Sequence, residues 1–150
     1  MNTYPSKFNN KNNTCVCIVN DIDSYTTDRQ FVINRADYTI SNLTGIGYNV
    51  YEHKNIDKLL RHASNEYQFA IVISAGTEFI NGNTFFENHP KEYDLLAHIL
   101  DGGDAYYGIH PQCFSINLST YIDLECPKFG NQEPFSSHVQ NNPMRSYNNV

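Results

Sequence analysis

Apolar residues recur in short blocks along this chain, and the rhythm inside each block predicts its conformation. "TCVCIVN", residues 14 to 20, is apolar or β-branched almost throughout and reads as a buried strand. After the polar loop "DIDSYTTDRQ", the residues Phe31, Val32, Ala36, Ile40 and Leu43 recur at helical spacing, which predicts a helix from about Asp28 to Leu43. Thr27 or Asp28 can cap it, and Gly45 suits a left-handed C-cap. "YNVYEH" is a second strand. Asn55 then caps a second helix, with Ile56, Leu59, Leu60 and Ala63 at i, i+3, i+4 and i+7. "YQFAIVISAG" is the most hydrophobic segment, and its unbroken apolar run predicts a strand covered on both faces.

This first half reads β-α-β-α-β. Strands joined through single helices imply right-handed crossovers and a parallel sheet. The expected fold is therefore α/β, a Rossmann-like three-layer sandwich with a mostly parallel sheet and helices on both faces. The second half has another rhythm. "EYDLLAHIL" fits either a helix or a buried strand, because Leu95, Leu96, Ile99 and Leu100 satisfy both periods. "DGGD" is a turn, "QCFSINL" a strand, and "STYIDLEC" a short helix capped by Ser119. Residues 1–13 hold five Asn and read as a flexible N-terminal arm, 14–130 as a single α/β domain, and 131–150 as a loose C-terminal tail.

Composition narrows the function classes. The net charge is -6, and the basic residues are scattered singly, which argues against a nucleic-acid backbone or an anionic membrane surface as partner. The longest apolar run, "FAIVISA", is too short to span a bilayer, and the first residues lack the apolar core of a signal peptide. The default location is the cytoplasm. Cys15, Cys17, Cys113 and Cys126 lack the two-residue spacing of zinc or redox motifs and read as reduced thiols. A small anionic ligand stays compatible with this charge, and the tail offers a contact segment for a protein partner.

The order of elements over about residues 14 to 130 resembles the start of a GT-A-type glycosyltransferase domain. The resemblance is carried by "QCFSINLSTYIDLECPKFG", a strand ending in Ile116-Asn117 and a helix leading to Pro127-Lys128-Phe129-Gly130. It implies a GT-A-like sandwich, a nucleotide sugar or glycan as ligand, and transfer of a glycosyl group. It also implies a divalent ion, manganese or magnesium, neutralising a diphosphate leaving group. Where that family carries Asp-x-Asp, this chain reads Ser74-Ala75-Gly76-Thr77-Glu78. A non-catalytic binding module derived from such a fold is the alternative.

Two groups of candidate residues follow. Ligands of open α/β sheets sit at the carboxyl ends of the strands. That rule places Asp21 and Asp23 after the first strand, where they either accept ribose hydroxyls or close Asx-turns. It places Gly76 and Thr77 after the third strand, where they either receive a phosphate or form a tight turn. The second group is His98, Asp101, Asp104 and His110. They are candidate metal ligands, with Asp101, Asp104 and His110 also candidate catalytic groups on the acceptor side. If residues 93 to 100 are helical, His98 and Asp101 share one face. A metal-dependent hydrolase using His98, Asp101 and His110 is a further alternative; a plain turn explains the same residues. Tyr106, Tyr107 and Phe114 either stack on a sugar or simply reflect an aromatic-rich chain.

Overall fold

A computed structural model describes residues 1–7, 13–21, 28–78, 93–101 and 107–129. The elements are β1 (Asn2–Tyr4), β2 (Thr14–Val19), α1 (Arg29–Gly45), β3 (Val50–His53), α2 (Ile56–Ala63), β4 (Phe69–Ser74), β5 (Leu95–Asp101), β6 (Tyr107–Asn117) and α3 (Leu118–Asp123). One sheet takes the order β1-β3-β2-β4-β6-β5.

The centre of the sheet follows the predicted rhythm. β2 pairs in parallel with β3 on one side and with β4 on the other. The period of two along each strand sorts the side chains onto two faces. Val16, Ile18, Val50, Ile71 and Ile73 face α1, whose Ala36, Ile40 and Leu43 complete that core. Cys15, Cys17, Ala70 and Val72 face α2 and α3, where Leu59, Leu60, Ala63, Leu118 and Tyr121 cover them. Both faces of the central strands are thus dry, which explains their continuous apolar runs.

The flanks overturn the expected fold class. Of the five pairings among the described residues, β1·β3, β4·β6 and β5·β6 are antiparallel. Among the described residues the protein is a small mixed sheet with three helices, not a mostly parallel Rossmann-like or GT-A-like three-layer sandwich. The physical reason is connection length. A parallel return needs a crossover of roughly a dozen residues or more. Only residues 102–106 separate β5 from β6, so the two strands form a hairpin.

Several local expectations change with it. Of the two readings left open for "EYDLLAHIL", the strand holds, with β5 over Leu95–Asp101. Within the segment expected to be an arm, Asn2–Tyr4 forms an edge strand on β3. Asn2 Nδ2 and Tyr4 Oη both donate to Glu52 Oε1, at 3.0 and 3.3 Å. Farther along, Ser6 N donates to Asn49 Oδ1 and Lys7 N to Thr44 O. The cap of α3 is Asn117, which accepts from Ser119 N and Thr120 N, so Ser119 already lies inside the helix. Gly45 is the last residue of α1, and the positive φ belongs to Gly47. Asp28 precedes α1 without a side-chain cap bond, whereas Asn55 caps α2 as expected by accepting from Lys58 N at 3.1 Å.

Candidate functional site at the carboxyl rim of the parallel strands

Parallel strands end at one edge of a sheet, and here two backbone bonds stitch their exits together. Asn20 N donates to His53 O at 2.9 Å, joining the ends of β2 and β3. Ala75 N donates to Val19 O at 2.9 Å, joining β2 and β4. Asp21, exposed at the end of β2, therefore stands beside the segment that follows β4. Asp23 lies outside the described residues.

The segment after β4 bends onto α1. Thr77 N donates to Ser74 O at 3.1 Å and closes a turn at Ala75 and Gly76. Gly76 has φ +89°, and a Cβ added there would lie 3.3 Å from Val32 Cγ1. A side chain is disfavoured by backbone and by space alike. Next, Thr39 Oγ1 donates to the Thr77 carbonyl at 2.9 Å, and Arg35 forms an ion pair with Glu78. Val32, Arg35 and Thr39 are spaced i, i+3 and i+7, so one helical face meets residues 76, 78 and 77 respectively. The Arg35 guanidinium carbon also lies 4.7 Å from the centroid of the Phe31 ring, one turn earlier.

These contacts change the meaning of two candidates. Gly76 is required by its conformation and by Val32. The Thr77 amide is engaged within the turn, so it is not an open phosphate donor, and its carbonyl accepts from Thr39. The third exit is also ordered locally: Asn55 N donates to His53 Nδ1 at 2.9 Å. An accepting Nδ1 leaves the proton of a neutral imidazole on Nε2.

The second group of candidates sits on the β5–β6 hairpin. β6 pairs with β4 only from Asn117 back to Cys113, opposite Ile73. Residues 107–112 therefore continue past the carboxyl end of β4, toward the same end of the sheet as Asp21. The β5·β6 register runs Asp101↔Tyr107, Leu100↔Gly108 and Ile99↔Ile109, then jumps to Ala97↔Phe114. Position 98 on one strand thus faces the irregularity at 110–113 on the other, a stretch that begins with residue 110. Asp101 is three positions from His98 on a strand, so the shared helical face expected for that pair does not exist. Asp104 and Tyr106 lie outside the described residues. Among the described residues, no three His, Cys, Asp or Glu side chains gather into a metal-binding group.

Two aromatic and thiol candidates are also resolved. Phe114 is buried in the α2 face, stacked against Phe129 at 5.4 Å between centroids, and does not offer its ring to a sugar. Cys113 is half-buried, and burial pushes its thiol pKa above the ordinary value, opposite to what a nucleophilic cysteine needs.

The residues missed in the sequence are Val32, Arg35 and Thr39. Val32 was legible as core, but its role against Gly76 was not. Arg35 and Thr39 carry no local signal, because their partners lie 43 and 38 residues away. No helix among the described residues is long and apolar enough to cross a membrane. No family model matches the chain, no curated protein matches it, and no solved structure matches it.

Proposed function

We propose that the protein binds a nucleotide sugar or a related nucleotide at the carboxyl rim of β2, β3 and β4, with Asp21 accepting hydroxyl groups of the ligand. The observation that carries this reading is the Ala75–Val19 bond, which sets the exit of β2 against that of β4. Carboxyl ends of parallel strands are where open α/β sheets take ligands, because loops there are free to vary over a rigid base. A carboxylate at such an edge suits vicinal hydroxyls, as on a ribose.

Binding without turnover is favoured over glycosyl transfer. The segment that would cradle a diphosphate is folded onto α1, and its Thr77 amide is engaged. The four free cysteines suit a reducing compartment, and we place the chain in the cytoplasm.

A thermal-shift panel tests the reading. UDP-, GDP-, CMP- and dTDP-sugars are added with manganese and with a chelator, to the wild type and to Asp21→Asn. A ligand at a hundred times its Kd adds about 2.7 kcal/mol, a rise of several degrees for a chain of this size. The expected result is a rise that survives the chelator and shrinks in Asp21→Asn. A rise that requires manganese would revive metal-assisted transfer. No rise with any nucleotide sugar would sink the ligand class.

A further inference from the structure

We propose that Arg35 is an anion-binding residue at this rim, and that Glu78 is its internal competitor: a phosphate or diphosphate binds by displacing the Glu78 carboxylate from the guanidinium. The inference rests on the ligand reading above and deepens it by naming the group that takes the phosphate end.

The geometry supplies three reasons. The first is pre-organisation. Phe31 lies one helical turn before Arg35, and the guanidinium sits over its ring at 4.7 Å. Held by its face, the guanidinium presents its N–H edge to an acceptor, which is the orientation that bidentate recognition of an oxyanion requires. The second is accessibility. The Arg35 side chain is 31% exposed and that of Glu78 is 50% exposed, so the pair can be reached from solvent and exchanged. An ion pair this exposed binds its own partner weakly. The third is location. Arg35 lies on the helical face that holds the segment after β4, between the contacts made by Val32 and Thr39. An anion replacing Glu78 would arrive at the rim segment that borders Asp21.

Charge supports the exchange. A phosphate carries up to about two negative charges and three acceptor oxygens, against one charge on a carboxylate. With 16 acidic and 10 basic residues, the chain is otherwise a poor host for an anion. An acid tethered 43 residues away in sequence but adjacent in space keeps the cation satisfied when no ligand is bound. The displaced segment remains anchored through Thr39 and the Thr77 carbonyl, so the exchange costs one contact and not the fold.

Calorimetric titration of the full chain with inorganic pyrophosphate tests this. Four proteins are compared: wild type, Glu78→Gln, Arg35→Gln and the double variant, each with its folding confirmed by thermal unfolding. Removing the competitor should tighten binding about threefold to fivefold, the range of a surface ion pair. Arg35→Gln should weaken it by at least about tenfold, as for loss of a charge-assisted bond. In the double variant the gain from Glu78→Gln should vanish, because the two residues act on one anion.

Three results overturn the inference: equal affinity in Arg35→Gln, an undiminished gain from Glu78→Gln in the absence of Arg35, or no pyrophosphate binding by any of the four. Nucleotide-sugar binding that depends on Asp21 but not on Arg35 would leave the rim reading standing and remove the role of Arg35. The expected pyrophosphate pattern without nucleotide-sugar binding would do the reverse.

Discussion

Gly76→Ala isolates the joint between the parallel strands and helix α1. At φ +89° the backbone of residue 76 lies where an L side chain is strained, which costs roughly 1–2 kcal/mol. The new methyl would also approach Val32 Cγ1 at 3.3 Å, so the valine must yield by a few tenths of an ångström. Against both, alanine removes conformational freedom from the unfolded chain, worth about 0.4–1 kcal/mol. The net expectation is a loss of about 1–2 kcal/mol, and for a chain of this length a Tm lower by about 2–8 °C. Differential scanning calorimetry of the wild type and the variant measures it. Repeating the substitution in a Val32→Ala background separates the two causes: the steric part disappears and the backbone part stays. A Gly76→Ala protein with unchanged or higher Tm would refute the reasoning, since it would mean that residue 76 is not held at positive φ. The site consequence is equally specific. A shifted turn moves Glu78 relative to Arg35, so the variant should also change pyrophosphate affinity, which a purely global loss of stability would not do below the unfolding transition.

The remaining expectations concern the rest of the fold. Asn55→Ala removes the side-chain acceptor of the Lys58 amide and should cost about 1 kcal/mol, read as a lower urea midpoint with an unchanged slope. Glu52, 7% exposed, accepts from both Asn2 and Tyr4, so Glu52→Ala should strip hydrogen-exchange protection from Asn2–Tyr4 while leaving α2 protected; equal protection in both proteins would count against β1 depending on that carboxylate. Leu59 is fully buried between α2 and the sheet, and Leu59→Ala should cost about 2–5 kcal/mol by chemical denaturation. Burial raises the pKa of the Cys15 and Cys113 thiols above 9.0, and of the Tyr4, Tyr51 and Tyr121 hydroxyls above 10.0. A raised folded-state pKa gives stability that is complete below the unfolded pKa and is lost as pH rises through the folded one. Tm should therefore be steady up to about pH 8.5 and fall beyond it as first the thiols and then the phenols ionise in the unfolded chain; a flat profile to about pH 10.5 would contradict this.

Legibility followed the range of the interactions. α2 could be read almost residue by residue, because Asn55 and the Ile56, Leu59, Leu60, Ala63 stripe are local signals. β2 and β4 were equally plain, since strands covered on both faces must be apolar at every position. β5 was ambiguous for a physical reason: Leu95, Leu96, Ile99 and Leu100 satisfy both periods, and only the antiparallel pairing with β6 decides between them. That one choice propagated into the site. A helix would have placed His98 and Asp101 on one face, whereas the strand separates them and instead aligns position 98 with the irregularity that contains His110. β1 was missed because three polar-flanked residues have no core signal of their own; what holds them is Glu52, 50 residues distant from Asn2.

The mixed pairing also bears on what the rim can do. In a sheet extended by further βαβ units, the chain leaving β4 would rise into a helix, and that helix would supply amides for a diphosphate. Here residues 76 to 78 fold onto α1, and the strand on the other edge of β4 is β6, running the other way. The Thr77 amide is engaged in the turn, so on the proposed reading a side chain is what holds the anion there. Among the described contacts of residues 76 to 78 with α1, the one made by Arg35 carries a positive charge, and its present partner is a carboxylate on the segment itself. A phosphate at this rim can use Arg35 only if that internal pair opens, which makes the coupling between Arg35 and Glu78 the quantity that separates a nucleotide-binding rim from a merely structural one.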